Sequence, residues 1–323
     1  MRRLEAVTPA PPPPEQRPKL ARCLAIIDAL NDADPKKVPL GPGGADEPYR
    51  RAYGRAVYEQ VLALDPRAPD ALLILAKGRQ VESWRIPKLF KRDDYAPNTP
   101  GTRQYEGDRR RWQARRLLRC AREAGYRGPL TPSEASAAAA ARAQGEADPL
   151  ADLPASAFDP VPADAPDAEA AAEEAAALRL IDGVVARTRN GGVPDPRDLR
   201  PYDFAAPLGA TNWPLLRAAM AVQALADADA LVFLDLNFAR MVGESGMTAD
   251  EAAGAARREL GRMSAAGMAA ALQRPWLTPP LKKVLYRSLP VPFKYSDIML
   301  DAEGTAAASV HPGDWRYRDF DYE

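Results

Sequence analysis

Apolar positions recur at helical spacing through most of this chain, and the longest such stretch is 217–242, RAAMAVQALADADALVFLDLNFARMV. Wound at about 100° per residue, it gathers Met220, Leu231, Leu234, Phe238 and Met241 on one stripe. Asp227 falls in the middle of that stripe, with Gln223 one turn before it. A second stripe holds Val222, Leu225, Val232 and Leu236. A helix apolar on two sides is buried in a larger bundle. Asp227 is therefore expected to face protein interior, where a carboxylate needs a partner, a metal or a proton.

The same spacing predicts further helices. Leu20, Leu24, Ile27 and Leu30 mark one over 19–33, ended by Pro35. A second runs over about 48–64 and closes at Asp65-Pro66, after which Asp70 is placed to cap a third over 71–84. In that third helix Leu73, Ala76, Gln80 and Trp84 share a face, which puts Gln80 inside an apolar stripe. The helix at 104–125 has the inward stripe Gln113, Leu117, Cys120 and Ala124, so a second glutamine faces the core. Later helices are expected at 173–188, at 248–272 with a Thr248/Glu251 capping box, and at 279–288. No strand pattern stands out, and LVFLDL lies inside a helical one.

Composition adds connectors to these helices. Proline accounts for 33 of 323 residues, about twice its usual share, and residues 1–18 read as a disordered or polyproline-like start. The whole chain balances 44 basic against 44 acidic residues, so no net field draws it to nucleic acid or membrane. Locally the balance breaks. Residues 85–128 hold 13 basic and 5 acidic groups, and residues 132–182 hold 11 acidic and 2 basic ones. The stretch 129–176 is alanine, proline and acid with almost no large apolar groups, and is expected to be a disordered insertion, with 131–145 transiently helical. The resulting scheme is a helical domain over 19–289, interrupted by 129–176 and by a loop at 189–213. An aromatic tail follows at 290–323.

Cys23 and Cys120 read as buried thiols of a reducing compartment, which with the lack of an apolar leader or span suggests the cytoplasm. An organelle-targeting use of the N-terminus stays open. There is one histidine, His311, so a multi-histidine metal site is excluded and a Ser-His-Asp triad is disfavoured.

Five stretches then occur in order: IIDALNDADP, ILAKGRQVESWRIPK, the Trp112 region ending in CAREAGY, VQALADADALVFLD and GRMSAAGMAAAL. Together, over about 20–128 and 216–273, they resemble the uncharacterised helical family called domain of unknown function 4202. The glutamyl-tRNA synthetase name often attached to that family finds no nucleotide-binding signature here. The resemblance implies that Gln80 and Gln113 stand where the family carries histidines. Ala226-Asp227 stands where it carries Glu-Asp. By analogy with HD phosphohydrolases those family positions look like a metal-ligand set, of which only Asp227 remains.

The expected fold is thus a single all-α, HD-like bundle of about seven to nine helices. Gln80, Gln113, Gln223 and Asp227 are the pocket candidates. One carboxylate and two amides are a weak ligand set for a dehydrated metal, so no cofactor is expected and the chain reads as a non-catalytic binding or scaffold protein. The alternative is a divergent phosphohydrolase-like enzyme holding Mg²⁺ or Mn²⁺ through Asp227. Asp229 and Asp235 are expected to be solvated or paired with arginine. Arg109, Arg110, Arg115, Arg116 and Arg119 are candidates for an anion, the nearest being the chain's own acidic insertion. RNA is a weaker option, with only Tyr105 and Trp112 interleaved. The aromatic tail (Trp315, Tyr317, Tyr322) is either a strap or a docking peptide for a partner protein.

Overall fold

The computed structural model describes residues 16–39, 46–86, 100–145, 150–159, 165, 167–187, 213–238, 248–261, 263–274, 279, 282, 298–300 and 306–308. Residues 1–15 of the proline-rich start, the 189–212 loop, most of the 279–288 helix, Met241, His311 and the tail aromatics lie outside the described residues, whereas Pro18, expected in a disordered start, opens the first helix. The fold is all-α, as the spacing predicts. Where the sequence suggests one helical domain, the chain divides into two compact units, Met1–Leu225 and Ala226–Glu323.

The N-terminal unit contains α1 (Pro18–Asn31), β1 (Lys37–Pro39), β2 (Asp46–Pro48), α2 (Tyr49–Leu64), α3 (Asp70–Lys77), α4 (Pro100–Glu123), α5 (Pro132–Gln144) and α6 (Ala168–Arg187). The division falls within α7 (Trp213–Phe233). β1 and β2 form an antiparallel ribbon with Val38 opposite Glu47, too short to show as a strand pattern. α1 buries Leu20, Cys23, Ile27 and Asn31, leaving Leu24 and Leu30 half-covered. α3 is buried at every position from Ala71 to Lys77. α4 runs along α6 and α2 along α3. Leu118, Leu178 and Ile181 are fully buried there, each contributing about 1.5–3 kcal/mol.

Two glycines permit the closest approaches. A Cβ on Gly54 of α2 would stand 2.3 Å from the Lys77 carbonyl oxygen, and one on Gly78 would stand 2.1 Å from Cδ2 of Leu117. Gly78 also ends α3, its N–H bonding the Ile74 carbonyl at 2.8 Å. The helix expected over 71–84 therefore stops at Lys77, and Gln80 lies in a turn instead of on a helical stripe. Asp70 is the first residue of α3 and makes no cap bond. Its carboxylate takes Arg17 at 3.1 Å and the Tyr126 hydroxyl instead.

The expected disordered insertion folds in part. Thr131 and Glu134 form a complete capping box that starts α5, Gly145 ends it at φ 68°, and Ala137, Ala138 and Ala141 are buried. A 3-10 turn at Ala155–Ala157 buries Ala157, and α6 begins at Ala168, five residues before the apolar pattern announces it. The sequence misleads because methyl-sized side chains carry little hydrophobic signal, while local capping and alanine's helix propensity suffice to order them.

In the C-terminal unit, α7 passes into a π-helical turn, Leu234–Phe238. Leu231, Leu234 and Phe238 are buried, whereas Leu236, expected in the second stripe, is 44% exposed. The helix expected over 248–272 is broken into α8 (Ala249–Leu260) and α9 (Ala265–Leu272), because Ser264 caps a new start. The Thr248 capping box opens α8 as predicted, with Glu251 N–H donating to Thr248 Oγ1 at 3.2 Å. β3 (Ile298–Leu300) and β4 (Ala306–Ala308) pair antiparallel.

Candidate functional site

Asp227 is buried, as its stripe predicts. Its Oδ1 accepts the Ser264 N–H at 2.7 Å and its Oδ2 the Ser264 hydroxyl at 2.5 Å. Ser264 Oγ in turn accepts the Gly267 N–H at 3.1 Å, capping α9. The carboxylate thus sits on a helix N-terminus, where the partial positive charge of unpaired N–H groups favours an anion. Gly267 makes this seat: a Cβ there would lie 2.6 Å from Asp227 Cγ and under 3 Å from both oxygens. Asp229, expected in solvent or paired with arginine, is buried as well, and Asp235 pairs with Arg274 at 3.1 Å.

Gln113 is buried on α4, its Nε2 donating to the Arg79 carbonyl at 3.4 Å. Together with Leu75, Gly78, Arg79, Leu117, Val184, Val185 and Leu225 it lines a cavity of about 20 Å³. That is room for a water, far below the roughly 300 Å³ at which small-molecule sites begin. Gln80 does not line it, and Gln223 is half-buried in α7. Gln80 and Gln113 belong to the N-terminal unit and Asp227 to the C-terminal one.

One buried carboxylate of the N-terminal unit is not singled out by the sequence. Glu82 follows the α3 turn with φ 45° and ψ 23°, the one non-glycine residue at positive φ among the described residues. Its N–H donates to Asn31 Oδ1 at 3.0 Å. Its buried carboxylate accepts from Arg85 at 2.7 Å and from Arg116 Nε at 2.5 Å. Holding a residue with a Cβ in the left-handed region costs about 1 kcal/mol, offset here by two arginines. Beside it, Ser83 Oγ accepts from Arg50 Nε at 2.9 Å, and Arg50 reaches the fully buried Asp34 at 3.0 Å. Asp34 also accepts the Arg50 N–H at 3.0 Å, serving the start of α2, whose own N-cap residue Pro48 offers no side-chain acceptor. Glutamate at a left-handed position has no sequence pattern of its own.

The arginines of α4 take distinct partners. Arg122 is buried and uses all five donors: Nε and Nη2 on Glu134 at 3.0 Å, Nη1 on the Gly128 and Ala157 carbonyls at 2.7 and 2.5 Å, and Nη2 also on Pro129 at 3.0 Å. Its guanidinium stacks on Phe158, 4.8 Å from the ring centre. Arg119 bonds Glu123 at 2.8 Å and also Asp152. Arg122 and Arg119 thus each pair with an acid of 129–176. Arg116 serves Glu82. Arg109, Arg110 and Arg115 are half-buried. Burial, and then the charge of Arg111, hold the Arg115 guanidinium below its ordinary range.

Cys23 and Cys120 are buried and free, as expected. Burial pushes both thiols up, Cys120 to about 12, so neither offers a thiolate near neutrality. Among the described residues no three His, Cys, Asp or Glu side chains group as a metal site, and no helix is long and apolar enough to cross a membrane. Comparison with protein-family models, curated proteins and solved structures returns no match.

Proposed function

We propose that this chain is a non-catalytic binding or scaffold protein, built on an HD-like helical fold and related to the family called domain of unknown function 4202. The observation that carries this reading is the seat of Asp227. The one carboxylate that the family resemblance would assign to a metal has an oxygen on the Ser264 N–H and the other on the Ser264 hydroxyl, against the backbone of α9. Donors at a helix start stabilise a buried carboxylate. The two glutamines that replace the family's histidines add only amides, which recruit zinc-like ions poorly.

The enzymatic alternative needs Mg²⁺ or Mn²⁺ at Asp227. That requires the carboxylate to give up both Ser264 bonds and leave a partly buried N–H without its acceptor, at a cost of up to about 1–3 kcal/mol for that group alone. Elemental analysis of protein purified without chelators separates the two readings. The expected result is substoichiometric Mg, Mn, Fe and Zn, unchanged in Asp227→Asn. One metal per chain, lost in that variant, would overturn the proposal.

A further inference from the structure

Arg111, Arg115 and Arg119 follow one another at spacing four along α4, so their Cα atoms climb about 6 Å per step on one side of the helix. Their partners differ sharply. Arg119 is met by Glu123 of its own helix and by the exposed Asp152, a carboxylate carried in from the segment after α5. Arg111, more than half exposed, is met by Asp108 one turn back. Arg115 donates its Nε to the Arg111 carbonyl at 3.3 Å. Among the described residues no carboxylate stands within ion-pair distance of Arg115. A half-buried cation beside a second cation is an arrangement that an incoming anion stabilises.

We propose that Arg111, Arg115 and Arg119 form a basic ridge that docks an acidic peptide of a partner protein, with Asp152 holding the Arg119 end in the unbound chain. Two observations favour polypeptide over other anions. First, the ridge already takes a carboxylate borne on an irregular stretch of chain, that of Asp152 on Arg119. Second, an extended peptide presents same-side residues about every 6.6 Å, which sets acids at alternate positions close to one per arginine. A single-stranded nucleic acid draws on stacking aromatics as well, and the ridge residues include none. Arg122, three residues further on, is closed to any partner by its five internal bonds. The ridge therefore ends at Arg119. The inference rests on the reading of the chain as a binding protein, but it uses residues remote in sequence from Asp227 and a readout other than metal.

The test is fluorescence anisotropy with the full chain and a labelled peptide alternating glutamate and serine, beside its glutamine analogue and a uridine oligonucleotide. Saturable binding of the glutamate peptide is expected, weakening as salt shortens the screening length to a few ångström. Arg115→Gln should weaken it about tenfold, as loss of a charge-assisted bond does. Arg111→Gln, on a more exposed side chain, should weaken it in the same sense and serves if Arg115→Gln fails to fold. Asp152→Asn should tighten it about two- to fivefold, the range of one exposed ion pair. Equal binding of the glutamine peptide would overturn the proposal, as would wild-type affinity in both arginine variants. Binding of the oligonucleotide alone, or no peptide binding even by Asp152→Asn, would do the same.

Discussion

Glu82 in the N-terminal unit and Asp227 in the C-terminal unit are buried carboxylates that accept from different kinds of donor. Glu82 is clamped by the charged side chains of Arg85 and Arg116, and its backbone is held in a left-handed turn to reach them. Asp227 accepts from neutral donors, an N–H and a hydroxyl of Ser264, at the start of α9. The first arrangement joins distant elements, since Glu82 also ties to Asn31 of α1 and Arg116 belongs to α4. The second shapes one helix start. Burial alone therefore does not mark a carboxylate as chemical. What its oxygens already accept decides how much is left for a metal or a substrate.

The largest effect should come from stranding a carboxylate that relies on an arginine. Arg122→Leu leaves Glu134 buried without its guanidinium, and the loss in urea unfolding is expected at about 3–5 kcal/mol. Arg116→Leu should cost less, because Arg116 is partly exposed and water can reach the carboxylate it leaves. If both variants lose the same amount, charge pairing is not what separates the two kinds of site.

Intermediate effects probe the neutral seat. Asp227→Ala removes the acceptor for two Ser264 donors and should cost about 1–3 kcal/mol in the same assay. Gly267→Ala carries a clearer sign. Inside a helix that change normally stabilises by up to about 1 kcal/mol. Here the new Cβ would fall 2.6 Å from Asp227 Cγ, so destabilisation is expected, and a gain in stability would show that the carboxylate is not held against α9. The smallest effect concerns backbone strain: Glu82→Gly should be less destabilising than Glu82→Ala by about 1 kcal/mol, since only glycine takes positive φ without cost. No difference between them would remove strain from the comparison.

Much of this arrangement could be read in advance, and the failures have physical causes. The burial of Asp227, Gln113, Leu231, Leu234 and Phe238 follows from helical spacing alone, and the Thr248–Glu251 capping box from a four-residue pattern. Ser264 as the partner of Asp227 could not be read so, because the sequence offers GRMSAAGMAAAL as continuous helix and a cap inside it looks like any serine. The order in 129–176 was hidden for a different reason. Its anchors are a single buried arginine on another helix and the capping residues Thr131 and Glu134, while periodicity registers large apolar groups only. Leu236 lies within the π-helical turn, where the spacing of a regular helix no longer applies. Glu82 depends on contacts with α1 and α4, 34 or more residues away along the chain, which no local window contains.

Thermal unfolding followed with and without saturating Mn²⁺ or Mg²⁺, for the wild type and Asp227→Asn, bears most directly on the seat of Asp227. A ligand present at about 100 times its dissociation constant stabilises the folded state by about 2.7 kcal/mol, a shift in Tm that is readily seen. The account expects no metal-dependent shift in either protein, and a lower Tm for Asp227→Asn with or without metal. A rise in Tm with Mn²⁺ or Mg²⁺ that disappears in Asp227→Asn would contradict it.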